Sequence, residues 1–236
     1  MMMRIVQVLT MSCLLVGLSY GSGLNVGASA VGGIFDLFGL DDAQGPKIVP
    51  SEGGMGGAIS VDAMFPLVSD LSLHVGAALE FRDFRGHQTI SMSLDCEGCK
   101  NETWDDDVVL DLLYLEIPVY FRTNASPTVV IEGGPVIGFN VLSKYYGPFN
   151  SDWVDLEETS LFEFGFTAGL ALQMTDNLEM SLRASYIITD MMDDDELDYK
   201  LPSQTFKFMG GFTYWFGGGL EPPKTQEEPS PDKNVL

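Results

Sequence analysis

The chain has 236 residues, 45% of them hydrophobic, with 34 acidic against 12 basic side chains and a net charge of −22. Such a balance repels nucleic acid and excludes a phosphate-backbone partner. The 26 glycines, with 15 Phe, 8 Tyr and 3 Trp, argue against the disorder that charge alone would bring.

Residues 1–23 read as a secretory signal. Arg4 supplies the positive start, Ile5 to Leu18 form an apolar stretch broken by Gln7, Thr10 and Ser12, and small residues follow at Ser19, Gly21 and Gly23. Cleavage is placed after Gly21 or Gly23. The stretch is short for a spanning helix, which needs about 20 apolar residues. Cys13 follows Thr10-Met11-Ser12, a poor lipoprotein motif. Export leaves Cys96 and Cys99, in Cys-Glu-Gly-Cys, as the cysteines of the mature chain. In an oxidising compartment this pair reads as a local disulfide stapling a loop. A metal site would want further ligands, and His87 is the candidate at hand.

Beyond the signal, period-2 alternation recurs eight times. Leu24–Ile34 carries its apolar residues at even positions, and Ile59–Leu67 and Leu71–Phe81 at odd ones. Val109–Phe121 is apolar at odd positions apart from Asp111, and Val129–Val141 is odd as well. Phe162–Met174, Leu178–Ile188 and Phe206–Phe216 are apolar at even positions. Side chains two apart share one face of a strand, so each segment has a greasy face and a small or polar one. The second faces carry charges of both signs: Asp62, His74, Glu80, Arg82, Glu116, Arg122, Glu132, Glu163, Arg183 and Lys207. A soluble sandwich or a lipocalin-like binder would turn its large apolar side chains inward. Mixed charge amid Gly, Ser and Ala fits instead a cramped polar lumen, with the greasy faces toward lipid.

The predicted architecture is therefore all-β: an eight-stranded antiparallel transmembrane up-and-down β-barrel over residues 24–217. Its connections alternate. Residues 68–70, 124–127 and 175–177 make short periplasmic turns, while about 35–55, 83–107, 145–159 and 189–204 make long extracellular loops. Twenty of the 34 acids fall in the runs 36–52, 95–107, 151–158 and 190–200 of those four loops, which must face water because burying such charge costs several kcal/mol per ion. Residues 218–236 hold four prolines and mixed charge and read as a disordered periplasmic tail. Pro66, Pro118 and Pro135 interrupt three strands, and a bulge is expected at Pro135.

On the fourth strand, Tyr114-Leu115-Glu116-Ile117-Pro118-Val119-Tyr120-Phe121-Arg122 resembles the YLEIP signature of the PorT-like outer-membrane β-barrel family. The Gly-rich stretch Glu132-Gly133-Gly134-Pro135-Val136-Ile137-Gly138-Phe139 follows after a short turn, as in that family. The resemblance in layout spans about residues 23–217. It implies a single barrel in the outer membrane of a Gram-negative cell, without a defined activity. Gly211, Tyr214 and Phe216 resemble the terminal signal read by the outer-membrane assembly machinery, with Met209 out of pattern.

The functional expectation is a non-enzymatic integral outer-membrane protein that displays acidic loops for surface interaction or envelope integrity. Its partners would be outer-membrane lipid and lipopolysaccharide, the assembly machinery during insertion and an extracellular partner. A narrow porin-like pore is the alternative, and a lipid-modifying barrel enzyme a more distant one. For the latter, Ser72, His74 and Glu80 are the imaginable triad, but they point into the lumen, away from acyl chains. No cofactor motif occurs. The acid run Asp193-Asp194-Asp195-Glu196, and Asp105 to Asp107, lack EF-hand spacing and offer only weak divalent-cation binding.

Overall fold

The computed structural model describes residues 24–38, 53–68, 70–92, 102–147, 153–155, 160–189 and 204–216. The predicted signal segment, Cys96, Cys99, Asp193 to Glu196 and the predicted tail lie outside these residues. Nine strands run in chain order: β1 (Asn25–Phe38), β2 (Gly54–Val68), β3 (Leu71–Met92), β4 (Glu102–Asn124), β5 (Val129–Tyr146), the two-residue β6 (Val154–Asp155), β7 (Phe162–Gln173), β8 (Leu178–Ile187) and β9 (Gln204–Trp215).

Eight of them close into one antiparallel barrel. Each strand pairs with its neighbour in sequence, β5 pairs with β7, and β9 returns to β1. The small β6 pairs only with the far end of β5. The register can be followed round the ring from Leu37 through Thr205, Ile187, Gly165, Val136 and Pro118, which stands level with Gly76 across a gap in the β3–β4 pairing, and on through Asp62 back to Gly27, ten residues from the start. A stagger of this kind tilts the strands against the barrel axis, and eight strands leave an interior that side chains fill.

The faces follow the alternation. On β7 the exposed series is Phe162, Phe166, Ala168, Leu170 and Leu172, while Glu163, Gly165, Thr167 and Ala171 are buried. On β3 the buried series is Ser72, His74, Gly76, Ala78, Glu80, Arg82 and Phe84. The outside thus exposes large apolar side chains such as Ile59, Phe81, Phe121, Ile131, Leu182 and Phe212, and the inside buries charge. Val26, at the start of β1, departs from the outward series and is buried.

Strand ends differ from expectation. The connection predicted over residues 83–107 is largely strand: β3 continues to Met92 and β4 begins at Glu102, so Asp105 to Asp107 sit in a hairpin paired with His87, Gln88 and Thr89. Apolar alternation marks a strand only where one face is greasy, so a ribbon rising beyond that zone reads as loop in sequence. The prolines also behave differently. Bulges occur at Leu113/Tyr114 and Pro66/Val68, not at Pro135. Near Pro135 the β4–β5 register is unchanged, but pairing lapses between Pro118↔Val136 and Phe121↔Gly133. The β3–β4 ladder lapses likewise between Val75↔Val119 and Ala78↔Glu116, beside Pro118. Each imino acid removes one donor, and the ladder skips it without slipping.

Where β9, β1 and β2 meet, backbones approach closely. A Cβ at Gly33 would lie 2.1 Å from the Phe208 carbonyl oxygen, and one at Gly56 would lie 2.0 Å from that of Phe81. Only glycine fits such an approach at a tightly curved wall.

Leu170 and Leu182 face each other across β7 and β8, half exposed at 50% and 49%. Leu170→Arg or Leu182→Arg should cost about 2–4 kcal/mol of stability in a bilayer, as arginine does at the lipid-facing midplane of a barrel. Urea unfolding of the purified variants in lipid vesicles measures this. Wild-type stability of both would refute the outward facing of this pair.

Candidate functional site in the barrel interior

Every barrel strand sends a polar side chain inward: Ser29 from β1, Asp62 from β2, Glu80 from β3, Glu116 from β4, Glu132 from β5, Glu163 from β7, Arg183 from β8 and Lys207 from β9. They meet in two groups stacked along the axis. In the group nearer the long connections, Arg82 is fully buried and holds three carboxylates. Its Nη1 and Nη2 each donate to Glu163 at 2.8 Å, Nε donates to Glu80 at 2.5 Å, and Nη2 reaches Glu116 at 3.2 Å. The guanidinium lies over the Tyr114 ring, 4.0 Å from its centroid. Lys207 Nζ donates to both oxygens of Glu80, at 3.1 and 3.2 Å, and to Glu116.

The second group lies toward the short turns. Arg183 Nε donates to Glu132 at 2.5 Å, and Arg122 Nε lies 3.2 Å from the same carboxylate. Arg122 Nη2 also donates to Glu179, which accepts from Trp215 Nε1 at 2.9 Å. Asp62 accepts from Ser29 and from Ser60, the latter at 2.8 Å, and pairs with His74 Nε2 at 3.0 Å. His74 is wedged edge-on between Tyr120 and Trp215, 5.4 and 5.6 Å away. Charge-assisted bonds of this kind are the strong ones, and in a dry interior each unpaired member would cost several kcal/mol.

An apolar cluster closes this polar stack at one end. Toward the long connections, Phe35, Phe84, Leu110, Leu112, Tyr114 and Met209 form one buried cluster. Toward the short turns, Trp215, Met64 and Val130 are buried. Between the two charge groups remains a cavity of about 40 Å³, lined among others by Ser60, Asp62, Glu80, Glu116, Arg183 and Lys207.

The ten predicted lumen residues stand inside the barrel, each within ion-pair distance of at least one other. The triad considered from sequence does not assemble: Glu80 is engaged by Arg82 and Lys207, while His74 turns Nε2 to Asp62. Sequence reading left out the apolar closure. Glu179 was legible as an odd position on a strand whose even positions are greasy. The closure was legible in Val108-Val109-Leu110-Asp111-Leu112-Leu113, where both faces are apolar. Among the described residues no cluster of His, Cys, Asp and Glu is disposed to hold a metal ion.

Arg82→Ala would leave Glu163 and Glu80 without their principal partner and should destabilise the barrel by about 3–5 kcal/mol. Arg183→Ala should cost clearly less, because Arg122 stays beside Glu132. Equilibrium urea unfolding in detergent gives both values; the reverse ranking would show that burial of Arg82 is not what braces the interior.

No protein-family profile matches the chain, and no curated protein matches it by sequence. Solved structures similar to it include Neisserial surface protein A, at 12% identity and TM-score 0.43, with 82% of this chain and 97% of that one covered. Ail, the attachment invasion locus protein of Yersinia pestis, is similar at 11% identity and TM-score 0.41, over 82% and 97%. The translocator domain of the autotransporter NalP from Neisseria meningitidis is similar at 8% identity and TM-score 0.27, over 89% and 96%. The closure of this barrel is given by its own strand pairing and rests on none of them.

Proposed function

We propose that this protein is a non-enzymatic outer-membrane anchor: a sealed barrel that carries acidic extracellular segments for surface interaction or envelope integrity. One observation carries the reading. The barrel is greasy outside and filled inside with paired charge, with an apolar cluster across one end, so it is built to sit in lipid and to pass nothing. Closed barrels leave no backbone donor or acceptor unpaired in a bilayer, the condition for a β-structure to span one. A narrow pore would need a continuous polar path, whereas Phe35, Phe84, Leu110 and Leu112 close one end. The stretch Tyr114 to Arg122 supports placing the chain in the PorT-like family.

In this reading the working surface lies beyond the rim. Asp36, Asp83, Asp107 and Asp111 stand there on the strands, and the intervening segments of sequence add Asp193, Asp194, Asp195 and Glu196. A surface of that sign favours a cationic partner, or divalent cations bridging it to the phosphates of lipopolysaccharide, and it disfavours anionic polymers. Loops tolerate replacement because few buried contacts depend on them.

Two outcomes follow. The refolded protein in planar lipid bilayers should show no conductance steps, and regular unitary currents would overturn the anchor reading. Replacing residues 193–198 by a short Gly/Ser link should leave folding intact, judged by heat-modifiable migration on a gel. It should weaken Ca²⁺ binding in a calorimetric titration, and unchanged binding would remove this segment from the working surface.

A further inference from the structure

We infer that the cavity between the two charge groups is a hydration site, holding a small cluster of ordered water that links them. Its walls are polar where bonds are left to make. Arg183 lines the cavity and donates through Nε to Glu132, while its buried Nη2 has no hydrogen-bond partner among the described groups of the protein. Thr167 and Ser185, also on the lining, share one hydrogen bond of 2.6 Å between their hydroxyls. One hydroxyl proton serves that bond, and the other is left to find an acceptor. On the acceptor side, Glu116 receives both Arg82 and Lys207 at Oε1, which leaves Oε2 for another donor. Ser60 donates to Asp62 and keeps its own lone pairs for the cavity.

Size and charge select the occupant. One water needs at least about 10–15 Å³ of such space, so a cavity of about 40 Å³ admits about three. A solute of many heavy atoms does not fit. An anion would meet Asp62, Glu80 and Glu116 on the walls, and a metal cation would meet Arg183 and Lys207. Among the described residues no cluster of His, Cys, Asp and Glu is disposed to hold such a cation. A neutral molecule that both donates and accepts suits walls that offer both, whereas cavities that stay dry are lined by apolar side chains. Met209 belongs to the apolar cluster and also lines the cavity, as do Val31 and Ala58 packed against that cluster. The cluster therefore bounds the water toward the long connections.

Water here joins what the register keeps apart. Arg183 pairs with Glu132 in the group toward the short turns, and Lys207 with Glu80 and Glu116 in the other. Among the described residues no ion pair crosses from one group to the other. A short chain of water takes up Arg183 Nη2 on one side and Glu116 on the other. Such bridges are nearly as favourable as direct hydrogen bonds, and a buried donor left without one carries its full desolvation penalty. Hydrated in this way, the two groups act as one polar unit.

The test uses the full chain refolded in detergent micelles, with isotope-labelled alanine methyl groups read by nuclear magnetic resonance. Magnetisation transfer from water is expected at Ala58 and Ala78, which line the cavity, and not at Ala171, which is buried and faces inward but does not line it. No transfer at Ala58 and Ala78 would overturn the inference. Exchanging hydroxyl protons can relay such a signal, so water-oxygen relaxation dispersion, which follows the water molecules themselves, is measured alongside. Ala78→Val grows two methyl groups into the space and should lower the dispersion amplitude by the equivalent of about one water or more. An unchanged amplitude would overturn the inference. If that variant does not fold, xenon applied to wild type decides. Xenon-induced shifts at Ala58 and Ala78 mark a dry cavity and overturn the inference, while their absence together with water transfer sustains it.

Discussion

Backbone pairing that runs from β1 round to β9 and back leaves the sheet without an edge, and the width of that ring governs everything inside it. With eight strands and a stagger of ten residues the lumen is only as wide as the side chains that line it. An inward residue therefore cannot retreat into solvent; it must touch the opposite wall. That is why Arg82 on β3 reaches Glu163 on β7, and why Lys207 on β9 meets Glu80 and Glu116 on β3 and β4. Long cationic side chains act as spokes across a ring whose rim is hydrogen-bonded backbone.

The same confinement explains the composition of the interior. A face turned to lipid must be apolar, so strand alternation hands the other face to whatever remains, and here that remainder is charge. Charge buried without partners would cost several kcal/mol per group. Three of the four cations are accordingly shared: Arg82 among three carboxylates, Lys207 between Glu80 and Glu116, and Arg122 between Glu132 and Glu179. Aromatic rings take up the remaining faces of the guanidinium groups, Tyr114 under Arg82 and Tyr120 at 5.1 Å from Arg183. The apolar cluster toward the long connections lowers water access at that end and so strengthens the pairs beside it.

The two groups share their cations in the same proportion. Toward the short turns Asp62, Glu132 and Glu179 stand with Arg122 and Arg183, beside His74 held edge-on by Tyr120 and Trp215. Toward the long connections Glu80, Glu116 and Glu163 stand with Arg82 and Lys207.

Alternation alone was enough to read the closed barrel, its eight strands and the inward placement of residues such as Asp62, Arg82 and Glu163, because period 2 is a local property and lipid on one side makes it visible. The same signal fades once a strand leaves lipid, so the hairpin from Arg85 to Met92 and Glu102 to Val108 looked like loop. Which carboxylate meets which cation was not legible. Arg82 and Glu163 are 81 residues apart, and only the register carried round the whole ring brings them level. The apolar closure is of the same kind: Phe35, Leu112 and Met209 are unremarkable on their own strands. They become a seal because the stagger of the closed sheet stacks them at one height. Sequence determined which way each side chain faces, since that depends on the neighbouring residue, and the tertiary structure decided who stands opposite, since that depends on all eight strands at once.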